Sequence, residues 1–228
     1  INAMMDLKYS ELLKLNKELG VKNQLDSYNI LLLSNVIVHQ GKEVIEYSLR
    51  VEGINAIVEL GDYDNILQES KKQRNIDATV IFWELANLTN GLHFKAELLN
   101  DLQVEELENK VKAEISLALA NLKDCPLVVF NKFSSLLVSS LCISRSNFDT
   151  LANRLNIFLE SLEQKNLRLV DFNKVVSHIG AEISYDLRYF YSSQAPYTIT
   201  LFKYYSQYIK PFFLSANGKS KKVIIFDC

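Results

Sequence analysis

Short apolar runs, each ending in a polar residue or glycine, alternate along this chain with longer stretches whose apolar residues recur every three or four positions. Runs of the first kind are buried strands, and the second spacing is that of an amphipathic helix. Strands are predicted over Asn29–Asn35, Ile54–Leu60, Asp77–Trp83, Pro126–Phe130 and Leu167–Asp171. Helices are predicted over Leu7–Leu19, ended by Gly20, over Lys42–Val51, closed by Gly53, and over Asp64–Ser70. Further helices are predicted over Leu102–Leu122, over Ser146–Gln164 with Ser146 or Asn147 as N-cap, and over Tyr197–Phe213, stopped near Pro211. In the last of these, positions 201, 205, 208 and 212 share one face, so most of its aromatic residues, Phe202, Tyr204, Tyr205, Tyr208, Phe212 and Phe213, are assigned to the core. Alternating strands and helices predict a parallel sheet covered on both faces, a three-layer α/β/α sandwich of flavodoxin-like type with five strands in the order 2-1-3-4-5.

Composition narrows the classes of partner. The chain has 228 residues, 48% hydrophobic and 11% aromatic, enough for a sizeable core. A formal charge of −2 gives no basic footprint, so nucleic acid is not an expected partner. No apolar run approaches the ~20 residues a membrane helix needs, and no membrane association is expected. The N-terminus is polar, with Lys8, Glu11, Lys14 and Lys17 and no signal-peptide pattern, and the three cysteines, Cys125, Cys142 and Cys228, lack metal-ligand spacing. Both features fit free thiols in a reducing cytoplasm, with Cys125 and Cys142 as packed residues. Residues 1–3, Ile-Asn-Ala ahead of Met4, are similar to a cleavage remnant. The expected organisation is an α/β domain over 4–217, followed by a linker and a further strand over 218–228.

That final stretch, Lys221-Lys222-Val223-Ile224-Ile225-Phe226-Asp227-Cys228, reads as a buried strand delivering a carboxylate at its end. It resembles the opening of the haloacid dehalogenase (HAD) motif. Other segments add to the likeness: Leu31-Leu32-Leu33-Ser34-Asn35, Gly61-Asp62-Tyr63-Asp64-Asn65 with Gln68-Glu69-Ser70, and Asp77–Glu84. Asp171-Phe172-Asn173 and Tyr185-Asp186-Leu187-Arg188-Tyr189-Phe190-Tyr191 with Pro196 complete it. In this order the segments resemble the N-terminal region of FkbH-like proteins, in which a domain similar to the SGNH hydrolases precedes a HAD-type domain. The resemblance implies a role in secondary-metabolite or polysaccharide biosynthesis, with an acyl carrier protein or a small phosphorylated or acyl substrate as partner. It also implies that Asp227 is the nucleophile of the complete HAD domain and that Mg²⁺ is that domain's cofactor. No cofactor or metal is expected within residues 1–228.

An SGNH site needs a serine after the first strand, glycine and asparagine donors for an oxyanion hole, and an Asp-x-x-His pair near the C-terminus. Ser34 and Gly61 stand where two of these belong, and Asn87 follows the third strand. None of the three histidines, His39, His93 and His178, lies three residues after an aspartate. Ser34 is thus either a nucleophile or a residue that closes its strand and bonds its own turn. Asn35, Gly61, Asp62, Asn87 and Arg188 are candidate substrate-binding residues, and Asp64 is either a ligand group or the N-cap of the short helix. His39 follows the first strand closely enough to approach the Ser34 loop, and His178 sits before a helix-ending glycine. The tyrosine-rich stretch Tyr185–Tyr197 is either a partner surface or an aromatic loop capping the sheet edge.

Three functions follow. The first is a non-catalytic accessory domain that binds substrate or carrier protein for an attached HAD-type enzyme. The second is a serine esterase or acyltransferase using Ser34, and the third a structural or dimerising domain.

Overall fold

The sheet is built around β1, whose buried residues face both ways. The structure, a computed structural model, describes residues 2–22, 26–72, 74–88, 98–137 and 146–219. In chain order the elements are α1 Asn2–Asp6, α2 Tyr9–Lys22, β1 Tyr28–Ser34, α3 His39–Arg50, β2 Ala56–Leu60, α4 Ile66–Lys71, β3 Ala78–Phe82 and α5 Leu85–Leu88. They continue with α6 Asp101–Asn121, β4 Val128–Asn131, α7 Asn147–Glu160, β5 Leu167–Val170, α8 Phe172–Ile179, α9 Ala181–Ser184, α10 Leu187–Ser193 and α11 Ile199–Ala216.

The strands pair in parallel in the order β2-β1-β3-β4-β5. Alternate residues of β1 serve opposite cores. Ile30 and Leu32 pack with α2, α3, α8 and α11, whereas Leu31 and Leu33 pack with α4, α6 and α7. This gives the expected three layers. Every residue of β3 and β4 is buried, while β2 and β5, at the two edges, carry exposed positions. That difference is what distinguishes a central from an edge strand in a sheet covered on both faces. Leu→Ala at Leu32 or Leu33 would leave a cavity costing about 2–5 kcal/mol.

Three expectations about helix ends are corrected. Gly20 does not end α2, which runs on to Lys22. A Cβ at Gly20 would lie 3.0 Å from Nη1 of Arg50, whose guanidinium also donates to the Asn16 carbonyl and side chain. The glycine provides close approach rather than a cap. Pro211 does not stop α11, which continues to Ala216. An interior proline costs about 3 kcal/mol; here Phe213, fully buried and edge-to-face with Tyr28, anchors the turn beyond it. Asp64 is not an N-cap. It takes a left-handed backbone, φ 53°, and Asn65 precedes α4 instead. The buried face of α11 is Leu201, Phe202, Tyr205, Ser206, Ile209 and Phe213, so Tyr208 turns outward. Helices α8, α9 and α10 were not expected. Asp171 starts α8 by accepting from the Lys174 N–H at 3.2 Å. As expected, Ser146 caps α7, accepting from the Asp149 N–H at 2.9 Å.

The last helix runs opposite to the strands. Its Tyr205 bonds Asn131 at the carboxyl end of β4, and its Phe213 meets Tyr28 at the amino end of β1. The described chain therefore leaves the sheet at the amino edge, opposite the edge where ligands of open α/β sheets bind.

Candidate functional site at the carboxyl edge of the sheet

The carboxyl ends of β1 and β3 are stitched together by side chains. Ser34, the last residue of β1, is buried; its hydroxyl donates to the Phe82 carbonyl at 2.9 Å and accepts from the Val36 N–H at 3.1 Å. The hydroxyl thereby pairs its strand with β3 and closes its own turn. Asn35, 1% exposed, extends the parallel ladder with its amide. It donates to the Glu84 carbonyl at 2.9 Å and accepts from the Glu84 N–H at 2.7 Å. Asn87 in α5 returns the contact by donating to the Asn35 carbonyl, and it lies 3.4 Å from the Tyr63 hydroxyl. The Asp64 N–H donates to the Ser34 carbonyl at 3.2 Å.

Gly61 joins the same edge, but its N–H is engaged by the Leu32 carbonyl at 3.0 Å. A Cβ there would come within 2.6 Å of Leu33 Cδ2, so packing explains the glycine. Asp62 turns into solvent toward Lys72, at 3.4 Å. Arg188 stands apart, its side chain 89% exposed and forked onto Asp186 at 3.1 and 2.8 Å. Of the candidates, then, Ser34, Asn35, Gly61 and Asn87 share one edge, while Asp62 and Arg188 do not face it. Asp227 and His93 lie outside the described residues.

Neither described histidine hydrogen-bonds Ser34. His178 sits in the last turn of α8 against the rings of Tyr204 and Tyr208. His39 opens α3 and lines a cleft described below. The segment before the last helix does hold an aspartate followed three residues on by a ring, Asp186 and Tyr189, but that ring is a phenol. Among the described residues no group of three or more His, Cys, Asp or Glu could hold a metal ion.

The group that sequence reasoning passed over is Glu84. It follows β3 at the centre of the edge, is 3% exposed, and has no cationic partner among the described residues. Burial pushes its carboxyl up to about 7, opposed by hydrogen bonds from the Tyr197 hydroxyl and the Ala86 and Leu85 N–H groups. Tyr197 in turn is held neutral by burial and by the neighbouring Glu84. Tyr185 stacks beside Tyr197, ring centres 5.9 Å apart, and Tyr205 donates to Asn131 at 2.8 Å, leaving Asn131 Nδ2 buried with no partner among the described residues. The signal in the sequence was a charged residue two positions after the apolar run of β3. Cys125 is buried as expected, bonded to Thr79 and the Leu127 carbonyl, and burial raises its thiol.

Solved structures share the fold of the chain. The N-terminal part of the protein BF1531 from Bacteroides fragilis, described as containing a phosphatase domain complexed with Mg, superposes with a TM-score of 0.76 at 15% identity. The match covers 95% of this chain and 58% of that one, so the chain spans little more than half of its neighbour. The lipase Lip_vut3 from a goat rumen metagenome matches with a TM-score of 0.52 at 14% identity, over 80% of this chain and 96% of the lipase. The chain shares its fold with both proteins. At 15% and 14% identity the likeness is one of fold. No protein-family model matches the chain, and no curated protein matches it in sequence.

Proposed function

We propose that this is a non-catalytic SGNH-like accessory domain, which binds a small substrate or a carrier protein on behalf of an attached phosphatase-type domain. The observation that carries the reading is the use of the Ser34 hydroxyl. A serine nucleophile needs a base to take its proton; here the hydroxyl donates its hydrogen bond to the Phe82 carbonyl, which is no base, and an N–H of the turn donates to the oxygen. The other oxyanion candidates are likewise spent, Gly61 on the ladder and Asn87 on Asn35. What remains at this edge is a shaped, polar rim suited to binding.

The accessory half of the reading rests on the resemblance of Lys221–Asp227 to a HAD opening and on the neighbour that contains a phosphatase domain. Sequencing the gene beyond codon 228 tests it. An aspartate at the second position after Asp227, and Mg²⁺-dependent p-nitrophenyl phosphate hydrolysis abolished by Asp227→Asn in the complete protein, would support it. Absence of that aspartate would overturn it. For the binding half, turnover of short p-nitrophenyl esters that disappears in Ser34→Ala would promote the esterase alternative instead.

A further inference from the structure

We infer that a cleft beside this edge is a binding site for a compact aromatic ligand carrying a carbonyl or carboxylate head. Residues 185–197 form a strap over the edge. Its base is closed by the antiparallel bridge of Tyr185 with Tyr197 and by the Asp186 N–H donating to the Pro196 carbonyl at 2.8 Å. Its far end is tied where the Ile37 N–H donates to the Gln194 carbonyl at 2.8 Å. Between this strap and the first turns of α3 and α11 lies a cavity of about 550 Å³. That volume falls within the range of small-molecule sites.

The floor is apolar and aromatic: Ile37, Ala195, Tyr197 and Phe202, with Tyr189 at the rim. The floor is also rigid. Phe202 sits so close to α3 that a Cβ on Gly41 would lie 2.9 Å from its ring, and the Tyr197 hydroxyl is fixed by Glu84. A flat ring placed there would meet Tyr197 and Phe202 in the offset or edge-on contacts that aromatic pairs favour.

The polar groups select the head group. Among the described residues lining the cleft Asp186 is the carboxylate, and Arg188 is already forked onto it, so an amine would have to compete with that guanidinium. The Thr198 hydroxyl donates to the Ile183 carbonyl at 2.6 Å. The His39 imidazole and the Gln40 amide remain at the rim, both exposed and able to donate. An acceptor on the ligand would satisfy them.

The site deepens the binding role proposed above, and it does not include Ser34. It is tested by titrating the ¹⁵N-labelled protein with benzoate, methyl benzoate and benzylamine. Benzoate and methyl benzoate should shift the amide signals of residues 37–40 and 195–202 together, with weak affinity, and benzylamine should not. Ala195→Trp, which fills the floor, should weaken binding by about tenfold or more. Should that variant fail to fold, Tyr189→Ala at the exposed rim replaces it and should weaken binding several-fold. No binding, scattered shifts, equal binding of benzylamine, or binding indifferent to both variants would overturn the assignment. Hydrolysis of bound methyl benzoate would sink the non-catalytic reading while leaving the site in place, which separates the two claims.

Discussion

Two neighbouring regions of the carboxyl edge use their polar side chains in opposite ways. Over β1 and β3, Ser34, Asn35, Asn87 and the main chain of Glu84 bond one another closely. Under the strap, a short distance along the same edge, His39 and Gln40 face open space. The first region holds the residue types that look catalytic in a sequence, and it spends them on holding two strand ends in register. The second was marked in the sequence by a tyrosine-rich stretch and a lone histidine, and among the described residues it leaves the donors His39 and Gln40 without hydrogen-bond partners. Residue type at a strand end therefore marks where chemistry could be built, whereas function depends on whether those atoms are still available.

The sharpest way to break this contrast is at Asn35. Asn35→Ala removes both bonds to the Glu84 main chain and strands a buried N–H and carbonyl. It should cost about 2–5 kcal/mol, read as a lower urea midpoint at unchanged slope. A cost below ~1 kcal/mol would mean that water replaces the amide and that the edge is wetter than described.

Glu84 gives the next largest effect, through pH. Its carboxyl sits near 7 in the folded chain against an ordinary value of 4.5, so the folded state holds a proton that the unfolded state releases. The associated stability is fully present below about pH 4.5 and is lost as pH rises through 7, a swing of roughly 3 kcal/mol. Glu84→Gln should flatten that part of the stability–pH curve. An unchanged slope in the variant would assign the titration to another group.

Ser34→Ala should cost less, about 1–2 kcal/mol, because the Phe82 carbonyl and the Val36 N–H each lose one partner. The effect should appear in thermal melting. Smallest of all, Ser146→Ala removes the cap of α7, far from both regions, and should cost about 1 kcal/mol. Calorimetry of the two variants together should give additive losses, since they share no partners.

The strands and their order were legible because each is a bounded apolar run, and β1 and β3 are buried on both faces. What escaped was set by tertiary contact. Gly20 reads as a helix stop until Arg50 is seen packed against it, and Pro211 until Phe213 is seen buried beyond it. Helices α8, α9 and α10 are too short for a periodicity to emerge, and two of them are started by aspartate caps, Asp171 and Asp186, that resemble loop residues. At the site, the clustering of Ser34, Asn35, Gly61 and Asn87 followed from their places after strands. The engagement of their hydrogen-bonding atoms did not, because it depends on partners about fifty residues away, such as Phe82 and Glu84.

The central claim is that the Ser34 hydroxyl is structural. Its most direct test is to treat the protein with diisopropyl fluorophosphate, which phosphorylates activated serines, and to measure intact and peptide masses. The account predicts an unmodified Ser34 peptide after prolonged exposure. A stoichiometric adduct on Ser34, absent from Ser34→Ala, would contradict it and establish an activated nucleophile at the end of β1.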